Sequence, residues 1–371
     1  MTITFEPRVQ DIRWRSRLTP VVAVVAAFAA IAIVLLLIGV SPMAVYAEII
    51  ATSLTSDYAL GDTLAQATPL ILTSLAVAFA FKMKVLSVGA EGQLILGAIF
   101  ATSAAILLDG QPILVLLPAT LAAGAVGGIV WALIPGALAA YAGVNIVITT
   151  LLLNFVALLF ASYLIFGSTT FLTQNLSNFP QGRQIPEEAW LPNFGNQSVT
   201  WGVAVSIAAA LVVWGVFGFT RFGFHMRLTG DSPKAARYSG VNVKTMIILV
   251  MVGSGALAGL AGAVEVAGRT HALDPHGLAL GLGYTGIAVA VLSRFRPLAI
   301  VVVSVLIAAV INSGSALQSL SDNTVPAEIV SVMVGTILLL ALMSDVFIRN
   351  RLRVRFRHNG LLTNPTEASD V

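Results

Sequence analysis

The feature that most constrains this chain is the length of its stretches without charge. The longest covers residues 110 to 182, where 73 consecutive residues include no Asp, Glu, Lys or Arg. Only 10% of the 371 residues are charged and 57% are hydrophobic, whereas soluble domains carry about a quarter charged residues. Charge-free runs of about 20 residues are typical of membrane-spanning helices. The sequence therefore predicts an all-α fold, a polytopic transmembrane helical bundle.

About ten spans account for the apolar runs. The longest run must hold two helices, with a turn near Tyr141–Gly143. The segment 279–293 is rich in glycine, so a broken or re-entrant segment stays an alternative to a complete span there. The predicted spans are 19–40, 62–82, 87–108, 113–140, 144–167, 199–219, 245–267, 279–293, 297–317 and 326–348.

The basic residues set the orientation, because they accumulate on the cytoplasmic side of membrane proteins. With the N-terminus inside, 18 of the 20 Lys and Arg residues face the cytoplasm, and only Arg183 and Arg269 fall outside. We therefore expect both termini to be cytoplasmic (N-in and C-in). Residues 1–18 form a basic segment, residues 19–348 the transmembrane domain, and residues 349–371 a basic tail that contacts anionic lipid.

A polar cytoplasmic loop, residues 220–244, contains the pattern of a short capped helix. Ser232 can serve as its N-cap, Pro233 fits the first helical position, and Gly240 suits the C′ position, which favours positive φ. Small residues lie on part of its surface, namely Ala235, Ala236 and Ser239. Such a helix is either a knob that inserts into another protein or a simple connection between two spans.

Other features offer little chemistry. The chain has no cysteine, so disulfides and thiolate metal sites are excluded. His271 and His276 lack a helical ligand spacing, and we predict no metal site. The distribution of the charges argues against a nucleic-acid partner. The outer loop 168–198, which contains Trp190, is a candidate docking surface or plug.

Glu91 is an ionisable residue at the start of a predicted span, and such groups usually face a bundle interior or a cavity. One interpretation makes it a gate or substrate-path residue. The other, which we favour, makes it a structural carboxylate near the inner face, held by Lys82, by Lys84 or by backbone donors. It follows Lys84 by only seven residues.

Glu265 has two interpretations as well. It either meets a substrate or pairs with Arg269, which lies one helical turn away, and we favour the ion pair. Asn145 and Asn154 are nine residues apart, about half a turn out of phase on a helix, so at most one of them lines a shared path.

Aromatic and small residues complete the candidates. Phe155 and Tyr284 can stack on a base or a sugar, although packing is the commoner role of an aromatic residue on a membrane helix. Spaced glycines allow close helix contacts; they are Gly124, Gly128, Gly255 and Gly259.

Three stretches of the chain resemble one family of bacterial ABC importer permeases, which handles nucleosides, simple sugars and branched-chain amino acids. GDSPKAARYSGVNV resembles the coupling segment of that family, G-x-x-P-x-A-A-x-x-x-G-[IV]. VLSVGAEGQLILGAI resembles its F-N-I-G-A-E-G-Q signature, with Gly89–Gln93 intact, and SGALAGLAGAVEVAG resembles its later half. The signature is nearest to the nucleoside-type branch.

The resemblance implies a transport mechanism in a bacterial inner (plasma) membrane. This chain would pair with a second permease subunit, identical or homologous, above two cytosolic ABC ATPase subunits. A periplasmic or lipoprotein substrate-binding protein would deliver the substrate. The chain has no G-x-x-x-x-G-K-[ST] phosphate loop, so we expect a non-catalytic subunit with no cofactor of its own, and ATP-Mg used by the partner ATPase.

Two sets of site residues follow from these observations. The expected ATPase-coupling residues are Ser232, Pro233, Ala235, Ala236, Arg237 and Gly240. The expected residues of the substrate path or gate are Glu91, Gln93, Asn145, Asn154, Phe155, Glu265 and Tyr284. If the short helix enters an ATPase, Ala236→Trp is expected to abolish uptake while membrane insertion stays intact.

A nucleoside importer permease is the favoured function, and alternatives stay open. A neutral path of amide and hydroxyl groups also suits a monosaccharide. A secondary transporter driven by an ion gradient needs acidic residues near the membrane midplane, for which Glu91 and Glu265 are the candidates. A membrane enzyme would need a cluster of catalytic side chains, which the sequence does not contain.

Overall fold

The computed structural model describes residues 2–7, 28–29, 31–33, 35–37, 39, 41–167, 170–174, 181–193, 199–274, 277, 281–320, 332–336, 339 and 350–355. The first and last predicted spans, 19–40 and 326–348, lie largely outside these residues.

Helices make up most of the described chain. They are α1 Pro42–Leu54, α2 Asp57–Phe81, α3 Ala90–Leu107, α4 Ile113–Ala142, α5 Ile146–Ser162, α6 Gly202–Phe219, α7 Arg221–Asp231, α8 Pro233–Tyr238, α9 Val243–Glu265, α10 Leu282–Leu292 and α11 Pro297–Leu320. Two π-helical turns, Tyr163–Gly167 and Val266–Thr270, continue α5 and α9. A 3₁₀ turn covers Glu187–Ala189.

Six helices of the described chain, α2 to α6 and α9, are long and apolar enough to cross a membrane. A seventh span is reached if the helical segment Ile31–Leu37 and the segment Pro42–Ser53, which meet at 119°, count as one broken span. A polytopic helical bundle is therefore confirmed. The count of ten spans and the N-in and C-in orientation stay predictions.

Helix α10 has only 11 residues, a rise of about 16 Å, which is roughly half of the ~30 Å hydrocarbon core. It begins after Gly281, whose φ is +75°. The described helix alone is too short for a complete span, so a span over 279–293 and the broken-segment alternative both stay predictions. Residues 278–280 lie outside the described residues.

Helix α1 falls between the first two predicted spans, 19–40 and 62–82, and was not predicted. Pro42 starts the helix at a position where its missing N–H does no harm. Glu48 ends the charge-free run that begins after Arg17. A partly buried carboxylate within a short helix does not interrupt the helix. Charge-free run length detects spans and overlooks helices of this kind.

Helices α3, α4 and α9 meet along a seam of glycines. A Cβ on Gly255 would lie 2.5 Å from the carbonyl oxygen of Gly128, and a Cβ on Gly259 would lie 2.8 Å from the Cα of Gly128. A Cβ on Gly97 or on Gly124 would likewise lie within 3.0 Å of the carbonyl oxygen of Gly259. The predicted close contacts of Gly124, Gly128, Gly255 and Gly259 are confirmed, and Gly97 is an additional member of the seam.

Two short antiparallel ribbons lie outside the helices. Strand β1, Thr2–Pro7, pairs with β4, Asn350–Arg355, with Thr2 opposite Arg355. Strand β2, Thr173–Gln174, pairs with β3, Gln181–Gly182. The first ribbon joins residues 2–7 directly to residues 350–355, a pairing that the assignment of two separate basic segments did not anticipate.

The described part of the outer loop packs on the end of α9. The amide of Ile185 donates to the carbonyl of His271 at 2.9 Å, and the amide of Leu191 donates to the carbonyl of Ala267 at 2.9 Å. Trp190 stacks on the His271 ring with 4.0 Å between the ring centroids. His276, the second predicted non-ligand histidine, lies outside the described residues.

Candidate functional site

Helix α8 forms as its local sequence predicts. The hydroxyl of Ser232 accepts a hydrogen bond from the amide of Ala235 at 3.3 Å, and Pro233 occupies the first turn. Gly240 has φ +80°, a conformation that glycine adopts without steric cost. Three local signals therefore define a six-residue helix, Pro233–Tyr238, on the surface of the protein.

The exposed face of α8 differs from the predicted one. Ala236 is fully buried, whereas Ala235, Arg237 and Tyr238 are exposed, and Tyr238 is 94% exposed. The placement of Ala236 on the accessible surface is wrong. Since a Trp at position 236 would have to displace the residues that bury it, it would test packing rather than docking, and Ala235 is the position from which a bulky side chain would project outward.

Helix α7 connects α8 to the membrane helices, and the sequence analysis missed it. The Thr220 hydroxyl caps it by accepting from the amide of Gly223 at 3.1 Å, and Met226 is fully buried on its inner face. At its end, a Cβ on Gly230 would lie 2.8 Å from the backbone of Met83, in the turn after α2. A displacement of α8 would therefore be transmitted through α7 to the end of α2.

The second candidate site surrounds Glu91, in the first turn of α3. This buried carboxylate accepts hydrogen bonds from the amides of Gly281, at 3.2 Å, and Gly283, at 2.6 Å. Both amides belong to the N-terminal end of α10, where helix donors lack intrahelical partners and the helix dipole favours a negative charge. Glu91 therefore caps a helix that is 190 residues distant in the sequence.

Glu91 lies apart from Lys82 and Lys84, with which the sequence analysis groups it. Helix α10 ends beside the C-terminal end of α2, which is the predicted inner end, and the rings of Phe295 and Phe81 stack there at 4.8 Å. Glu91 contacts the opposite end of α10, about 16 Å away along the helix, or about half the thickness of a hydrocarbon core. The prediction of backbone donors is confirmed, and the prediction of Lys82 or Lys84 is wrong; Lys84 pairs with Asp231 at 2.8 Å.

Asn154 connects the start of α3 to α5 and α10. Its side-chain oxygen accepts from the amide of Gly92 at 2.9 Å, and its nitrogen donates to the carbonyl of Val88 at 2.8 Å and to the hydroxyl of Tyr284 at 3.2 Å. The hydroxyl of Thr150, one turn earlier on α5, accepts from the amide of Val88 at 3.2 Å. Asn154 is buried, while Tyr284 is 40% exposed. Tyr284 therefore links this buried network to an accessible surface.

Two further polar groups lie in the same cluster. A Cβ on Gly89 would lie 3.1 Å from the Gln93 amide nitrogen, and one on Gly92 would lie 2.9 Å from the Trp131 indole nitrogen. Within the described part of the chain, the Gln93 side-chain oxygen and the Trp131 indole nitrogen are buried without a hydrogen-bond partner. Such groups are costly to leave unpaired, so they mark the cluster as a functional candidate.

The remaining predicted path residues lie elsewhere. Asn145 is exposed and caps α5 by accepting from the amide of Val147 at 2.9 Å. Phe155 is 57% exposed, beside Asn154 on α5. Glu265 accepts from the Arg269 Nε at 2.6 Å, so the predicted ion pair is present. The Gln66 side-chain oxygen accepts from the same guanidinium.

The structure thus brings Glu91, Gln93, Asn154 and Tyr284 into one cluster, which we call the Glu91 cluster. It separates Asn145 and Glu265 from that cluster. Trp131 and Thr150 are members that the sequence analysis did not select. A Trp in a long apolar helix carries no sequence signal that distinguishes a buried indole from a lipid-facing one.

Comparisons with known proteins agree with this architecture. The model of a family described as "Branched-chain amino acid transport system / permease component" matches residues 59–342. A glucose ABC transporter permease protein of Haloferax volcanii is 33% identical over 96% of this chain and 95% of its own length. A guanosine ABC transporter permease protein of Bacillus subtilis is 32% identical over 87% of this chain and 92% of its own length.

A nucleoside ABC transporter permease protein of Lactococcus lactis is 31% identical over 87% of this chain and 90% of its own length. The resemblance noted in the sequence is thereby confirmed over most of the chain. This multi-pass membrane protein belongs to the permease family of ABC transporters, the family described as branched-chain amino acid transport system permease components.

Proposed function

We propose that this chain is the membrane subunit of an ATP-driven importer of nucleosides, with α8 as its contact with a separate ATPase and the Glu91 cluster as part of its gate. ATP-Mg would be bound and hydrolysed by cytosolic ABC ATPase subunits. A second permease subunit and a periplasmic or lipoprotein binding protein would complete the system in a bacterial inner membrane.

The exposure of α8 is the observation that carries the coupling role. A two-turn helix that presents Ala235, Arg237 and Tyr238 outward exposes a large aromatic side chain to water without an intramolecular reason. Aromatic and Arg residues are enriched at protein interfaces. Burial of Ala236 fixes α8 to the rest of the protein. A partner bound to the outer face of α8 would therefore move the membrane helices together with α8.

The Glu91 cluster supports the gate role. It joins α3, α5 and α10 through hydrogen bonds between side chains and the ends of helices, and not through apolar packing alone. If these helices move relative to one another, the hydrogen bonds between them can be exchanged for others, and the movement need not leave a cavity in the packing. Tyr284 carries the network to the accessible surface, where its ring and hydroxyl could contact a base or ribose.

The substrate class rests on the relatives and on the uncharged character of these groups. Two of the compared relatives are named for guanosine or nucleosides. The amides, hydroxyl and indole of the cluster offer neutral hydrogen bonds, while its carboxylate is occupied by two backbone donors. A monosaccharide is the second candidate, favoured by the likeness to a glucose permease over nearly the whole chain.

The test is uptake by vesicles that contain the permease together with its ATPase and binding protein. We expect ATP-dependent uptake of labelled guanosine or uridine that unlabelled glucose does not reduce. Uptake driven by a proton or sodium gradient without the ATPase would refute the assignment. If glucose competes and nucleosides do not, the substrate would be a monosaccharide and not a nucleoside.

The coupling role has its own variant. Ala235→Trp is expected to abolish uptake because the indole would project from the outer face of α8 into the partner. Gln111→Trp is the matched control, since Gln111 is exposed in the turn between α3 and α4. Both proteins should insert into the membrane and purify alike. Normal uptake by Ala235→Trp would contradict the coupling role of α8.

A further inference from the structure

A cavity of about 840 Å³ lies where α2, α6 and α7 meet the turn between α10 and α11. Its charged lining is strongly unbalanced, with five cationic side chains against the single carboxylate of Asp231. The cationic residues are Lys82, Lys84, Arg227, Arg294 and Arg296. Like charges gathered in this way repel one another, so the cavity is arranged to receive an anion.

Most of these cations have no carboxylate partner. Among the described residues, only Lys84 has one within 4 Å, namely Asp231 at 2.8 Å. Lys82 lies above the Phe217 ring, with its Nζ 5.0 Å from the ring centroid. Partial burial and the nearby Arg227 charge lower the pKa of Lys82, against the opposing effect of Asp231. An anion in the cavity would relieve this electrostatic cost.

The backbone around the cavity is strained. Three of its lining residues, Lys84, Arg294 and Phe295, have φ between +52° and +57°, a region that residues with a Cβ rarely adopt. Stacking of Phe295 on Phe81 joins the turn after α2 to the turn after α10. These three residues close the turns that end α2 and α10, where the amides of Val85 and Phe295 donate to the carbonyls of Ala80 and Ala290. The stacked rings hold the two basic turns next to each other.

The other wall of the cavity is apolar. Trp214 and Leu298 line it and are 44% and 47% exposed. The cavity lies at the ends of the membrane helices α2 and α6, which stop at Phe81 and Phe219. Tryptophan is enriched at this level, where the headgroups of the bilayer begin.

From this combination we infer that the cavity binds the headgroup of an anionic phospholipid. The phosphate would lie among the arginines and lysines, and the part of the acyl chain nearest the headgroup would pack against Trp214 and Leu298. Basic pockets between the ends of membrane helices recognise anionic lipids in this way. A soluble phosphate would leave the apolar wall of the cavity exposed to water. An acidic protein surface would offer no apolar group to cover that wall. The inference is independent of the transported substrate.

The experiment is native mass spectrometry of the full chain, purified in a mild non-ionic detergent and titrated with phosphatidylglycerol, phosphatidylcholine or inorganic phosphate. We expect selective retention of phosphatidylglycerol. The double variant R294Q/R296Q should bind it about twenty-five-fold more weakly, because each basic residue near an anionic surface contributes about a fivefold factor. K82Q/R227Q, on the opposite side of the cavity, should show a similar loss.

Lys244→Gln is the matched control. Lys244 is exposed and contacts the Tyr141 ring at 5.4 Å, and it does not line the cavity, so its removal should leave lipid retention unchanged. Size-exclusion profiles identify any variant that misfolds. If R294Q/R296Q misfolds, lipid binding by K82Q/R227Q tests the inference. Equal retention of phosphatidylcholine, equal competition by inorganic phosphate, or unchanged lipid binding by a folded double variant would each overturn the inference.

Discussion

The substitution Glu91→Gln tests the cap of α10 most directly. The carboxylate accepts from two backbone amides, that of the half-buried Gly281 and that of the buried Gly283. Gln keeps the shape but replaces one oxygen by an NH₂ donor, which would face a backbone N–H. One amide then loses a charge-assisted hydrogen bond, and the interaction of the charge with the helix dipole is lost as well. These effects together predict a loss of about 2–4 kcal/mol in the free energy of unfolding.

The measurement is the free energy of unfolding of the purified protein in bicelles, obtained by titration with SDS. Glu188→Gln is the matched control, since Glu188 is exposed in the outer loop and its substitution should change the free energy by less than ~0.5 kcal/mol. The absence of cysteine makes it simple to attach probes for this assay. If Glu91→Gln is no more destabilising than Glu188→Gln, the carboxylate does not hold α10.

Two further predictions concern the seam and the outer loop. Gly255→Ala should destabilise the protein by about 1–3 kcal/mol because its Cβ would meet the carbonyl of Gly128; Gly215→Ala, where no atom lies within 4 Å of the new Cβ, should be neutral or stabilising in the same SDS titration. Burial lowers the pKa of His271 below its usual value near 6.5. Its contribution to packing of the outer loop is therefore complete above that value and is lost as the pH falls through the lower folded pKa. Trp190 fluorescence should change between pH 7.5 and pH 4.5, and much less in His271→Phe; identical pH profiles would exclude His271 as the cause.

The helices that cross the membrane were predictable because their signal is local. A run of apolar residues without charge indicates a span wherever it occurs, and α2 to α6 and α9 lie on such runs. The bounds are less exact, since α2 begins at Asp57, five residues before its predicted start. The caps of α8 were equally predictable, since Ser232, Pro233 and Gly240 act within one or two turns of the helix. Local chemistry suffices for elements of this kind.

What the sequence did not reveal depends on tertiary partners. Glu91 was placed near the inner face by its distance from Lys84 in the chain, but its location is decided by Gly281 and Gly283. The burial of Ala236 likewise depends on neighbours that helix chemistry does not specify. In the tail, the alternation of Arg with apolar residues is typical of a strand, yet the partner of β4 is at the other end of the chain.

The glycine seam has a consequence for how such a protein can move. Where backbones touch, there are no side chains to change rotamer, so α3, α4 and α9 cannot rotate against one another without separating. These helices should travel as a single rigid body during transport. The hinges of the transport cycle must then lie at the borders of this rigid body. A larger residue in place of one glycine of the seam is tolerable only if the facing helix moves away.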